Sequence, residues 1–480
     1  MTAAKIAAFP LLSVVLACGD ASGGSGSDGT STSSETHTST GGAPPPTTSG
    51  ETESGTSGSG TASDPSGEGS TSTASTGEGS TGQSTGEEST GEASAGSTGE
   101  ASTGELPTPT CEPGDVGGVL VWSQSAAQLP GFMPGLAGGA DDSVVLAGRS
   151  VSGNDGDAFV ELRDAQGATL WSDIYAGVNG LQDTALDVAV DPAGFIHVLV
   201  AETILAVEGE NSGTYDGRLV VLRYAPDGAK VWRWEHERPP VAPWTSYSPG
   251  GKLATDGQAI FVVEHAFAGP FEHVRLDASG NVLGETTLAV PAWLHYAARY
   301  DLGPDGSVVI AALVEDPERV WVGRFDDQGA PSWSLDFADE DSPPDSALVG
   351  EGGAAYMLGS LKENPGVPSV RKFSGDGSVA WTQPLPDASL DSVHFGGAVR
   401  GDGALLLVGG NKQSSEHKDL WLALMAADGA WSWIFEHELG PQGWGDGNTA
   451  AFTTSGAVVV SGSFNGEDAV QPWLGRLCGG

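Results

Sequence analysis

Basic residues are scarce in this 480-residue chain: 20 Lys plus Arg stand against 63 Asp plus Glu, a net charge of −43. That balance excludes nucleic acid as a partner, because a phosphate backbone needs a basic footprint. It also excludes a polybasic patch for an anionic bilayer surface. The sequence contains no HExxH, no Gly-x-x-x-x-Gly-Lys-Ser/Thr phosphate loop and no CxxC pair, and its Gly-x-Ser-x-Gly match, Gly82-Gln83-Ser84-Thr85-Gly86, falls in a low-complexity Ser/Thr/Gly stretch. Linear motifs therefore offer no catalytic centre. Apolar residues reach only 38%, low for a globular chain but ordinary once a disordered stretch is set aside. Length alone suggests about three domains. The 73 glycines, with Ser and Thr crowded into one region, argue for fewer.

Met1 to Lys5 carries one positive charge, and Ile6 to Leu16 is an apolar stretch interrupted by Pro10. The stretch is too short to span a bilayer as a mature helix and reads as a secretory signal. It ends Val15-Leu16-Ala17-Cys18-Gly19, which resembles the lipobox of bacterial lipoproteins, although Leu16 is bulkier than the residue usual there. The resemblance implies that Cys18 becomes the acylated mature N-terminus and holds the protein to a membrane. Gly19 in place of Asp implies release from the inner membrane. The expected location is then the outer membrane of a cell envelope, periplasmic or surface-exposed.

Residues 19–110 hold 21 Gly, 22 Ser and 20 Thr, and Leu106 is their single large apolar residue. No core can offset the entropy of ordering such a chain, so a disordered tether over 18–110 is expected. Ser-Thr-Gly-Glu recurs from Ser75, Ser84, Ser89, Ser97 and Ser102, and thirteen acids stand without a Lys or Arg. A flexible leash of this length reaches roughly 50–60 Å, and more when its charges repel. Its Ser and Thr density also permits O-glycosylation.

From Cys111 onward the chain repeats. Gly118, Gly167, Gly228, Gly329, Gly377 and Gly429 are each followed four residues later by Trp, at 122, 171, 232, 333, 381 and 433. Gly280 is a seventh copy, with Gly284 in the Trp position. Alternating apolar segments precede six of these glycines, and a seventh, Trp473–Leu477, stands near the end of the sequence. A third series takes a polar-Gly turn into a β-branched run, as in Gly194–Val200, Gly306–Ile310 and Gly456–Val460. No segment keeps a 3.6-residue apolar period over a helical length, so the class is all-β. A unit of about 53 residues with four short strands predicts a seven-bladed β-propeller over 111–480. The repeated Trp is expected to pack one sheet face on the next blade. Arg223, Arg275, Arg324 and Arg476, at the ends of the third strands, are expected to pair with turn aspartates at the bottom edge.

Asp157-Ala158-Phe159-Val160, Gly167, Asp183, Asp187-Val188-Ala189-Val190-Asp191 and Gly194 resemble the bacterial seven-bladed β-propeller repeat. The Gly-x-x-x-Trp feature is similar to quinoprotein-type propellers. The resemblance implies architecture and carries no catalytic residues with it. The region opens on a fourth-strand segment, Gly118–Ser123, and closes on a third-strand segment. The terminal blade is therefore expected to join both ends of the domain, a Velcro closure. Cys111 precedes the first segment and Cys478 follows the second, so a disulfide between them is expected.

The long connections from the fourth strand of one blade to the next carry Trp244, Trp293, Tyr296, His394 and Trp444. Aromatics on such loops around one channel mouth are the candidate ligand-binding residues, the alternative being that they fold down as plugs over the blade tops. No catalytic or metal residue is assigned. Glu235-His236-Glu237 and Glu436-His437-Glu438 fall in different blades, cannot meet, and are expected to be exposed outer-strand ends. The acids at Asp155/Asp157 and Asp339-Glu340-Asp341 are where calcium would bind, but they lack EF-hand spacing and read as solvated loops. The sequence thus describes a monomeric, lipid-anchored propeller that binds a glycan, peptide or protein. An envelope enzyme of quinoprotein or lyase type, or a structural envelope component, are the alternatives.

Overall fold

The computed structural model describes residue 111 and residues 117–479 apart from 126–128, 151–155, 178–179, 208–213, 237–249, 266–269, 292–297, 316–317, 339–341, 361–366, 387–395, 415–416, 438–444 and 466–469. Cys18 and the rest of 1–110 lie outside the described residues. The described strands form seven four-stranded antiparallel sheets. Six of them run A, B, C, D in chain order.

Blade 1 is Gly131–Gly138, Val144–Ser150, Ala158–Arg163 and Thr169–Tyr175; blade 2 is Thr184–Val190, Ile196–Val207, Thr214–Tyr224 and Lys230–His236. Blade 3 is Gly250–Thr255, Ala259–His265, Phe271–Asp277 and Val282–Thr287; blade 4 is Arg299–Leu302, Val308–Glu315, Glu318–Phe325 and Pro331–Phe337. Blade 5 is Ser346–Val349, Ala355–Ser360, Pro368–Phe373 and Val379–Pro384; blade 6 is Gly396–Val399, Leu405–Ser414, His417–Met425 and Trp431–His437. Blade 7 takes Gly445–Phe452, Val458–Asn465 and Val470–Leu477 as A, B and C, with Leu120–Ser125 as its D strand. The seven-bladed propeller and its closure are as the repeats predict.

Burial follows strand position. B strands such as Val144–Ser150 and Ala259–His265 are buried nearly throughout, whereas D strands such as Lys230–His236 and Pro331–Phe337 alternate exposed and half-buried residues. Strands covered on both faces need continuous apolar runs, while an outer edge needs only one apolar face.

The repeated Trp does more than fill space. In five of the six copies, Trp333 excepted, its indole nitrogen donates to a bottom-edge carbonyl of the following blade: Trp122 to Ala165 (3.0 Å), Trp171 to Pro226 (3.0 Å), Trp232 to Ala278 (3.0 Å), Trp381 to Ala427 (3.3 Å) and Trp433 to Gly479 (2.9 Å). Three of these carbonyls also receive a basic side chain from strand C of the same blade as the Trp. Arg476 reaches Ala165 (3.1 Å), Arg223 reaches Ala278, and Lys372 reaches Ala427 (2.8 Å). The turn glycine beneath has two reasons to be glycine. At Gly228, φ is +87°, and a Cβ would stand 2.9 Å from the Trp171 ring. The arginines also find their aspartates: Arg223–Asp191 (3.3 Å), Arg275–Asp327 (3.7 Å), Arg324–Asp305 (3.6 Å) and Arg476–Asp142 (3.1 Å).

The seam between blades 7 and 1 is tied again at Asp142. Asp141 and Asp142 both adopt left-handed backbone, φ 52° and 59°, a cost for residues with a Cβ. The Asp142 carboxylate accepts from Ser455 N (2.7 Å), Thr454 Oγ1 (3.1 Å) and Arg476 Nη2 (3.1 Å). Burial pushes its carboxyl up, but hydrogen bonds from Ser455, Thr453 and Thr454 outweigh that and hold it at about 2. Cys111 and Cys478 are disulfide-bonded, with Cα atoms 5.3 Å apart across 367 positions.

Candidate functional site

Antiparallel order puts the D-to-A and B-to-C connections on one face, the top, and the glycine turns on the other. Trp244 and Trp293 lie in the connections following blades 2 and 3, and His394 and Trp444 in those following blades 5 and 6. These four residues and Tyr296 lie outside the described residues. What is described is the rim from which these segments depart.

On that rim blade 2 stands out. Its B and C strands run 12 and 11 residues, against 6 and 6 for those of blade 5. Glu202, 1% exposed, anchors this hairpin at its base. Its carboxylate accepts from Tyr175 Oη (2.9 Å), from Arg218 Nε and Nη2 (both 3.1 Å), and from Arg233 Nη2 (2.7 Å). Arg218 and Arg233 also pair with Glu235. Asp183, fully buried, accepts from Gly177 N (2.5 Å) and Thr203 N (3.0 Å). Burial pushes the Asp183 carboxyl up, against those two backbone hydrogen bonds. Burial and the hydrogen bond to Glu202 push the Tyr175 hydroxyl far up, keeping it a donor. The network fixes the hairpin base and the blade 1–2 seam together.

The two Glu-His-Glu motifs differ from expectation. Successive strand residues point to opposite faces, so Glu235 joins the Glu202 network while His236 turns toward blade 3. There the imidazole is half-buried and faces Glu264, Glu272 and Glu285. His437, its counterpart in blade 6, instead lies against Trp473 of blade 7, ring centroids 5.2 Å apart. Neither histidine is an exposed strand end. Glu237 and Glu438 lie outside the described residues. The calcium candidates Asp155 and Asp339-Glu340-Asp341 also fall outside them; Asp157 is described and carries its backbone N–H to Ser150 Oγ (3.2 Å).

The channel-lining A strands are not only small and apolar, as their Gly and Ala suggest. Lys252 of blade 3 lies near Asp187 of blade 2 and Asp301 of blade 4. Asp187, opposed by burial and helped by Asp301, raises the Lys252 ammonium. Burial raises the Asp301 carboxyl. Each aspartate also accepts a backbone N–H from the following blade's A strand, Asp187 from Leu253 and Asp301 from Val349, both at 2.9 Å. A charged residue inside an otherwise uncharged strand marks Asp187 and Lys252 in sequence, whereas Asp301 stands in the Arg-Tyr-Asp-Leu strand without such a signal.

No family model matches the chain, and no curated protein matches it either. Solved structures resemble it distantly. A protein of unknown function from Dyadobacter fermentans is 13% identical, with 75% of this chain and 98% of that one covered at a TM-score of 0.42. A protein of unknown function from Bacteroides caccae is 13% identical, with 60% and 93% covered at 0.36. Sqt1 from Chaetomium thermophilum is 14% identical, with 69% and 80% covered at 0.39. Similarity of this order says nothing about activity.

Proposed function

We propose that the protein is a cell-envelope lipoprotein whose propeller acts as a binding module. Its top face takes a neutral or cationic partner, a glycan or a peptide segment of another protein. The observation that supports this reading is the contrast between the two faces. Bottom-edge connections are short turns closed on themselves, as in Gly167 N to Asp164 O (3.0 Å) and Gly228 N to Ala225 O (2.9 Å). Among the described residues the long strands of blade 2 extend toward the top, where their hairpin is braced by Glu202. Loops on a rigid scaffold are where binding residues concentrate. The acidity of the chain disfavours polyanions.

The test is a glycan and envelope-peptide binding screen with the purified full chain, followed by Trp244→Ala and Trp293→Ala. Each truncated ring is expected to cost about 1 kcal/mol, roughly fivefold in affinity. A specific ligand that binds both variants as tightly as the wild type would sink the top-face site. For the anchor, Cys18→Ser is expected to move the protein from the detergent phase to the aqueous phase. Unchanged partitioning rejects lipidation.

A further inference from the structure

Blade 3 presents Glu264, Glu272 and Glu285 from its B, C and D strands on the face turned to blade 2. The ladder fixes this: Glu264 stands directly opposite Glu272, and Glu285 opposite Val274, two positions along strand C from Glu272. Like charges placed directly across a ladder repel. Here one of them, Glu264, is 1% exposed, and a third carboxylate lies diagonal to the pair. Facing all three is an imidazole from another blade. His236 Nε2 lies 3.4 Å from Glu264 Oε1, 3.5 Å from Glu272 Oε2 and 3.8 Å from Glu285 Oε1.

We propose that His236, Glu264 and Glu272 form a divalent transition-metal site, zinc by preference, that clamps blade 2 to blade 3. Ligand atoms of these three residues all lie within 4.8 Å of one another. A tetrahedral ion with bonds of 2.0–2.1 Å has ligand-to-ligand edges of about 3.3–3.4 Å. The imidazole-to-carboxylate separations of 3.4 and 3.5 Å match those edges, and they exceed the 2.7–2.9 Å of a charge-assisted hydrogen bond. The donor set selects the metal. One imidazole nitrogen with carboxylate oxygens suits zinc and its first-row neighbours, whereas calcium takes six to eight oxygens at 2.3–2.6 Å. Burial grades outward, from Glu264 at 1% through His236 at 13% and Glu272 at 26% to Glu285 at 51%. The fourth position therefore opens to the solvent side, where Glu285 or water completes the shell. Trp234, two residues before His236 on the same strand face, packs on the imidazole at 5.5 Å between centroids and orients the ring.

The experiment uses the full chain, stripped of metal by a chelator and titrated calorimetrically with Zn²⁺ and, in parallel, with Ca²⁺. One Zn²⁺ per chain is expected at micromolar affinity or tighter, with Ca²⁺ at least about 100-fold weaker. His236→Gln and Glu272→Gln are each expected to weaken Zn²⁺ at least tenfold. The melting temperature should rise with Zn²⁺ in the wild type and not in His236→Gln. X-ray absorption at the zinc edge of the loaded wild type reads the shell without any substitution, and imidazole scattering is expected. Absence of one-to-one binding, a zinc shell without imidazole, or wild-type affinity in both folded variants would each overturn the site.

Discussion

Replacing both Cys111 and Cys478 with Ser is expected to cost about 2–5 kcal/mol of stability, read as a lower urea midpoint, with the m-value rising because the denatured chain without the cross-link is more expanded. The bond closes a loop of 367 positions, for which the chain-entropy description gives about 6 kcal/mol at most. Its location sets how the loss is distributed. Cys478 follows strand C of blade 7, and the D strand that pairs with it, Leu120–Ser125, comes from the other end of the domain. Backbone hydrogen bonds from Gly118 N to Cys478 O (2.8 Å) and from Cys478 N to Val119 O (2.9 Å) sit beside the bond. Without it the D strand keeps its one ladder and the side-chain hydrogen bonds of Trp122 and Gln124 to the turn of blade 1. Amide exchange in 120–125 should therefore accelerate more than in the B strands. Apart from Cys18, the wild type should show no thiol reactive under denaturing conditions, and an equal midpoint with and without reductant would remove the closure.

The architecture was legible because its determinants are local. A turn glycine, a Trp four residues on and a β-branched run each read from a few adjacent residues, and seven repetitions fix the count. Velcro closure followed from order alone. What stayed hidden depends on which residues of the next blade come opposite. His236 and His437 occupy equivalent positions on strand D, yet one faces three glutamates and the other Trp473. No period along the chain distinguishes them. The Trp repeat was readable as a packing plate, but the carbonyl it binds lies 43–55 residues away, and the basic residue sharing that carbonyl is 55 residues from it or, for Arg476, 311. Channel charges were missed because Gly and Ala dominate the A strands and drew attention from Asp187, Lys252 and Asp301. The top-face aromatics remain a reading of loop length and composition.

Acidification should destabilise the propeller through two buried imidazoles. His197 and His273 are each 1% exposed. Burial lowers both to about 4 from the ordinary 6.5, reinforced at His273 by Arg275 and opposed at His197 by its hydrogen bond to Asp191. Between pH 6.5 and 4 the unfolded chain takes up a proton on each that the folded chain refuses. Stability is thus fully present above about pH 6.5 and is lost as the pH falls to 4, by about 3 kcal/mol per histidine. Asp345 works in the opposite sense. Burial raises its carboxyl to about 6, against Arg299, so its contribution is lost as the pH rises from about 4 to 6. A substitution at one histidine separates the effects, since Asp345 is common to both proteins. His273 is the better position: it stacks on Phe261 at 6.1 Å, and its Nε2 has no hydrogen-bond partner among the described residues. His273→Leu, of similar volume, should lie within about 1.5 kcal/mol of the wild type at pH 7. Its loss of stability between pH 7 and pH 4 should be smaller than that of the wild type by about 3 kcal/mol. Urea unfolding at a series of pH values measures this directly, and parallel curves for the two proteins would show that His273 is not the group that titrates.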